Sequence, residues 1–159
     1  MSALQYPREA WLAKGISAAA LPDDLDVPDG IPGLYSTVLP EGLTVFDQIQ
    51  VSADGTDLDV RFIVLGAVEP GSSLLYVLDP GTGEVLQFDP SNVAVRGVNS
   101  SYRWFVEFLR RIGAAVEATG AADVRAALNR GMRFTLRAVD ERAFEADAWW
   151  PKVFGTLGS

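Results

Sequence analysis

Carboxylates are the side chains whose number and spacing could do chemistry in this chain. Asp23, Asp24, Asp26 and Asp29 fall in one seven-residue stretch, and Asp54, Asp57 and Asp59 in another. Two facing carboxyl groups can act as general acid and base in glycoside hydrolysis, where their separation sets the outcome. Clustered carboxylates can also hold calcium. An EF-hand loop alternates its ligands, places glycine sixth and closes on glutamate, and "DGTDLD" does not follow that pattern. It reads as a solvated hairpin tip, and "DDLDVPD" as a surface loop.

Other catalytic equipment is missing. The chain contains no histidine and no cysteine, which removes the commonest general base, the commonest metal ligand and every thiol nucleophile. A Ser–Lys pair would remain, but no serine stands three residues before Lys14 or Lys152. "GTGEVL" starts like a dinucleotide loop, yet Leu86 occupies the third-glycine position and a strand pattern follows. Asn99-Ser100-Ser101 matches a glycosylation sequon, but the N-terminal residues lack a secretory pattern, so helix capping is the better account. The expectation is a cytoplasmic, non-catalytic protein with no cofactor and no metal.

Charge is unevenly placed. The net charge is −8, with residues 1–95 carrying −11 and residues 96–159 carrying +3. An acidic surface repels nucleic acid and steers basic partners in. With 48% hydrophobic and 21% charged residues, the composition is that of a globular chain, expected to form one domain over residues 1–159.

The elements that would position these groups follow from the patterning. Residues 1–33 read as a short helix after Pro7 and a proline-rich lead-in. Residues 34–98 hold six apolar runs, "LYSTVL", "LTVFDQIQV", "VRFIVLGAV", "SLLYVLD", "EVLQFD" and "VAVRGV", separated by short turn clusters. Loops that short join antiparallel strands, because parallel pairs need long crossovers. In "LDPGTGEVLQF", Asp79 and Pro80 open a hairpin in which Gly81 or Gly83 takes positive φ.

After Asn99 the apolar period changes from 2 to 3.6. Tyr102, Phe105, Val106, Leu109, Ile112, Gly113 and Val116 form a helical stripe capped by Ser100 or Ser101. The apolar arc spans roughly 200°, wider than one sheet face needs, so cover from two sides is expected, by the sheet and by the tail bearing Trp149, Trp150 and Phe154. Arg103, Glu107, Arg110 and Arg111 fill the polar arc. Trp104 sits at the border of the apolar arc and is a candidate partner anchor. A further helix is expected over Ala122–Arg130, stopped by Gly131. "MRFTLRAV" fits a last strand or another extended segment. Asp140 and Asp147 are candidate N-caps in the tail, where Pro151 either splits the helix or marks its first turn. The fold class is α+β, an antiparallel sheet of about six strands with helices at both ends.

Three stretches resemble the fourth family of the SUKH superfamily of bacterial immunity proteins. "LYVLDPGTGEV" is similar to the family's strand–turn–strand, "GVNSSYRWFVEFL" to its step into an aromatic helix, and "WWPKVFGTL" to its closing helix. The segment through about Pro32 departs most from the family pattern. The resemblance implies a SUKH-like domain that binds and neutralises a cognate polymorphic toxin. The acidic half suits a basic, nuclease-type toxin, with Asp23, Asp24, Asp26, Asp54, Asp57 and Asp59 as the candidate contacts beside Trp104. Two alternatives stay open from the residues: a scaffold or regulatory module with a non-toxin partner, and a carboxylate-dependent enzyme with two facing acids in a deep pocket.

Overall fold

The computed structural model describes residues 4–31, 34–52, 59–89, 94–119, 130–145 and 148–157. The chain begins with strand β1 (Leu4–Gln5) and helix α1 (Arg8–Ala13), with Pro7 at the helix N-cap. Gly15, at φ 99°, turns the chain out of the helix, a conformation open to glycine at little cost. A 3-10 turn at Ala18–Ala20 follows, with Ser17 accepting the Ala19 amide. Strand β2 (Asp26–Val27) pairs with β1 as a separate two-stranded ribbon.

The main sheet contains β3 (Gly30–Ile31), β4 (Tyr35–Ser36), β5 (Gln48–Ser52), β6 (Asp59–Ala67), β7 (Leu75–Leu78), β8 (Val85–Asp89) and β9 (Ala94–Asn99). Its order is β3-β4-β6-β7-β8-β9, with β5 alongside the first part of β6, and every pairing is antiparallel. All six runs expected as strands contribute one. The hairpin between β7 and β8 forms as its residues dictate. The Asp79 carboxylate accepts the Gly81 amide at 2.9 Å, and Gly83 takes φ 80°.

The run "LTVFDQIQV" enters the sheet only at Gln48. Phe46 adopts φ 71°, which turns the backbone and breaks the alternation upstream. Its ring is then placed 5.5 Å from that of Trp11. Gly66 answers a different demand: a Cβ there would lie 2.4 Å from a ring carbon of Tyr35, so that ring needs a bare backbone beneath it.

Helix α2 (Tyr102–Thr119) lies over the sheet with Tyr102, Phe105, Val106, Phe108, Leu109, Ile112 and Val116 buried. Ser101 caps it, accepting the Trp104 amide at 3.3 Å. The wide apolar arc is covered on several sides. Phe105 meets Tyr35 and Tyr76 of the sheet, and Phe108 meets Trp150 at 5.3 Å. Tyr102 meets Tyr6 and Trp11, so the N-terminal segment adds a further wall to the core. The opposite sheet face has a smaller apolar layer around Phe62, Leu75, Val77 and Phe88, with Leu39 and Leu43 packed against it.

Two expectations about the later residues are corrected. "MRFTLRAV" is neither strand nor extended; it belongs to helix α3 (Arg130–Val139). Met132, Leu136 and Val139, four and three residues apart, form its inner edge, with Leu136 fully buried. Gly131 therefore lies in the first described turn of a helix instead of ending one. Most of the helix expected over Ala122–Arg130 lies outside the described residues, as does Asp147. A 3-10 turn at Glu141–Phe144 leads to helix α4 (Trp149–Leu157), with Pro151 in its first turn. Among the described residues, no helix is long and apolar enough to cross a membrane.

Candidate functional site

The first turn of α2 is flanked by two polar assemblies. On one side the loop Leu21–Leu25 is strapped to the N-terminal segment. The Tyr6 hydroxyl and Arg8 Nη1 both donate to the Pro22 carbonyl, the latter at 2.7 Å, and the Tyr6 amide donates to the Leu25 carbonyl at 3.1 Å. Leu21 and Tyr6 are buried beneath the strap. The hydrogen bond to the Tyr6 hydroxyl raises the pKa of the Arg8 guanidinium above its ordinary value, so the strap carries positive charge at any physiological pH.

Anchored in this way, the loop presents Asp23 and Asp24 to solvent. Together with Pro22 they form one wall of an open groove whose other wall is Arg103, Trp104, Glu107 and Arg110 of α2. Arg103 Nη2 reaches the Asp23 carboxylate at 3.4 Å, joining segments 80 residues apart, while the Asp23 side chain stays 83% exposed. The Arg103 guanidinium also lies 5.5 Å over the half-buried Trp104 ring. Glu107 pairs with Arg111 at 2.8 Å along the helix. Exposed pairs of this kind contribute at most about 1 kcal/mol, so Asp23 can exchange Arg103 for another cation at small cost. The groove thus combines carboxylates, a planar aromatic face and exchangeable guanidinium groups, which is equipment for recognising a charged protein surface.

The other candidate contacts are placed elsewhere. The Asp26 carboxylate accepts from Gln5 Nε2 at 3.1 Å, and its carbonyl accepts from Arg110 at 2.6 Å, so Asp26 braces the groove from behind. Asp54 and Asp57 lie outside the described residues, and Asp59 opens β6. Arg103 and Arg110 also line the groove; both stand on the polar arc of α2, where residue type and spacing alone do not distinguish a site residue from a solvated one.

The second assembly is buried. Asp140, 5% exposed, accepts from Asn99 Nδ2 at 3.0 Å, the Ser100 amide at 2.9 Å and the Ser100 hydroxyl at 3.0 Å. The indole N–H of Trp150 donates to Asn99 Oδ1 at 2.9 Å, completing the joint. Asp140 therefore does not cap the turn after it, whose N-terminal amides receive no bond from its side chain. Its partners lie 40 and 41 residues back in sequence and bind β9, α2, α3 and α4 together. Nearby, Trp149 Nε1 donates to the Tyr76 hydroxyl at 3.1 Å, which donates to the Leu34 carbonyl at 2.8 Å. Burial pushes the phenols of Tyr35, Tyr76 and Tyr102 well above the ordinary tyrosine value.

The asparagine, serines and aromatic helix of this joint lie within a family match. The model of the SUKH-4 immunity protein family matches residues 20–156, which include the whole main sheet and α2, α3 and most of α4. The chain belongs to the SUKH-4 immunity protein family. No curated protein and no solved structure matches it. The α+β architecture, with its antiparallel sheet and C-terminal helices, is consistent with that membership.

Proposed function

We propose that this immunity protein binds and neutralises a cognate polymorphic toxin, presenting the groove between Pro22–Asp24 and the first turns of α2 to a basic, nuclease-type surface. The observation that supports this reading most is the meeting of Asp23, Asp24 and Trp104 in one open groove. Carboxylates at a rim accelerate encounter with a cationic partner, and an aromatic side chain among them supplies area that water must leave. The −11 charge of residues 1–95 extends the attraction beyond the groove. Inhibition follows from occupancy: a toxin surface that must approach polyanionic nucleic acid cannot do so while it faces these carboxylates.

The product of the adjacent gene is the partner to test, by co-purification and then calorimetry. Asp23→Lys with Asp24→Lys is expected to weaken binding at least about tenfold and to flatten its salt dependence. Trp104→Ala is expected to lose about 1–2 kcal/mol of binding with its salt dependence intact. Reversal of Asp26, Asp54, Asp57 and Asp59 tests whether the acidic surface contributes beyond the groove. Unchanged affinity in all these variants would move the interface away from the acidic half.

A further inference from the structure

The main sheet ends on β9, which has no strand on its outer side among the described residues. Of the three main-sheet strands that pair on one side only among the described residues, β3 has two residues, too few to template another strand. Strand β5 is approached by the end of α1, where Lys14 Nζ donates to Gln48 Oε1 at 3.1 Å. Strand β9 runs for six residues and pairs only with β8 among the described residues. Alternate residues of such a strand direct their N–H and C=O groups away from the sheet, where they need water or another strand. The register shift opposite Val85 and Leu86 lies at the Asn99 end, so Ala94–Gly97 remains a regular ladder against Leu86–Asp89.

A groove runs beside this edge. One wall is Val95–Ser100, and the other is Glu84, Arg142, Glu145 and Ala148. Val95 is 54% exposed, and the space above Gly97 is empty to 4 Å from where a Cβ would stand. On the far wall Arg142 engages Glu84 at 3.6 Å and Glu145 at 4.0 Å, so those charges have partners. Arg96 lines the same groove, half-buried, and forms no ion pair among the described residues.

We propose that the β9 edge binds an extended acidic peptide segment of a protein partner, which adds as a strand beside Ala94–Gly97 and sets a carboxylate against Arg96. Backbone pairing supplies the affinity, as in other strand-addition sites, and Arg96 selects the charge. Val95 and the open side of Gly97 accept an apolar side chain next to that carboxylate. The charge argues against a second copy of this chain as occupant: antiparallel self-pairing of β9 in the register centred on Arg96 sets the two Arg96 side chains directly opposite each other, and like charges across strands are destabilising. This site is distinct from the groove at Asp23 and Trp104 and needs no contribution from it.

The probe is a blocked eight-residue peptide of alternating threonine and valine with one central glutamate. With the full chain, the expected result is saturable binding by calorimetry and at least about tenfold slower amide exchange in residues 94–99. N-methylation of alternate peptide amides should abolish binding, since it removes the donors that a strand contributes. A lysine in place of the glutamate should weaken binding about tenfold, and Arg96→Glu should invert that preference, with Arg96→Ala removing it. Absence of binding at millimolar peptide, unchanged exchange in β9, or equal affinity for the glutamate and lysine peptides overturns the proposal. A concentration-dependent dimer with β9 protected also overturns it, in favour of self-pairing. Toxin affinity of the Asp23→Lys, Asp24→Lys variant is read separately, so failure at either surface leaves the other identifiable.

Discussion

Asp140 and Asp23 stand on opposite sides of the same helix terminus and have opposite lives. Asp140 is buried and accepts three hydrogen bonds from Asn99 and Ser100, while Asp23 is exposed and holds one long ion pair to Arg103. Both join distant segments to the start of α2. The difference lies in what each carboxylate would lose. Removing Asp140 strands donors that water cannot easily reach, whereas removing Asp23 returns Arg103 to solvent and to the face of Trp104. Equal chemistry therefore yields a structural joint in one place and an available contact in the other.

The contrast is broken most directly at the buried joint. Asp140→Ala should destabilise the protein by about 3–4 kcal/mol in urea unfolding, because three donors lose their acceptor. A loss below about 1 kcal/mol would mean that the joint is not what holds the C-terminal helices to β9. Next in size is the alkaline limb of stability. Burial keeps Tyr35, Tyr76 and Tyr102 protonated in the fold, so above pH 10 the unfolded chain binds fewer protons than the native one. Their stabilisation is complete below about pH 10 and falls as pH rises toward the folded values, by about 1.4 kcal/mol per pH unit for each phenol. Tyr76→Phe should remove one such increment from the slope between pH 11 and 12, while costing about 1–2 kcal/mol at neutral pH through the lost bonds to Leu34 and Trp149. A slope identical to that of the parent protein would show that Tyr76 does not titrate on unfolding. The smallest effect is expected in the groove: Asp23→Lys with Asp24→Lys should shift stability by no more than about 0.5 kcal/mol. A larger shift would make the loop part of the scaffold and blur the comparison.

How much of this could be read in advance depended on distance along the chain. The six strands, the stripe of α2 and the Ser101 cap rest on residues within one or two turns of each other, and periodicity exposes them. Helix α3 hid because "MRFTLRAV" supports two periods at once: Met132, Phe134 and Leu136 alternate like a strand, while Met132, Leu136 and Val139 recur like a helix. Tertiary burial of the second set decides between them. Asp140 carried a sound local signal for capping, but acceptors are claimed by whichever donors are buried beside them, and those came from Asn99 and Ser100. The groove was half legible. Asp23, Asp24 and Trp104 could each be named from type and pattern, yet their meeting depends on the strap from Tyr6 and Arg8, which no local pattern announces.

That strap carries a practical warning about where the protein can be shortened. The family match starts at residue 20, but Trp11 is 1% exposed and its ring lies 5.0 Å from that of Tyr102. A truncation at the family boundary would remove Tyr6, Arg8 and Trp11 together, open the end of the core under α2 and cut loose the loop carrying Asp23 and Asp24. The piece that defines kinship and the piece that folds are different lengths, and deletion studies of the interface should keep the longer one.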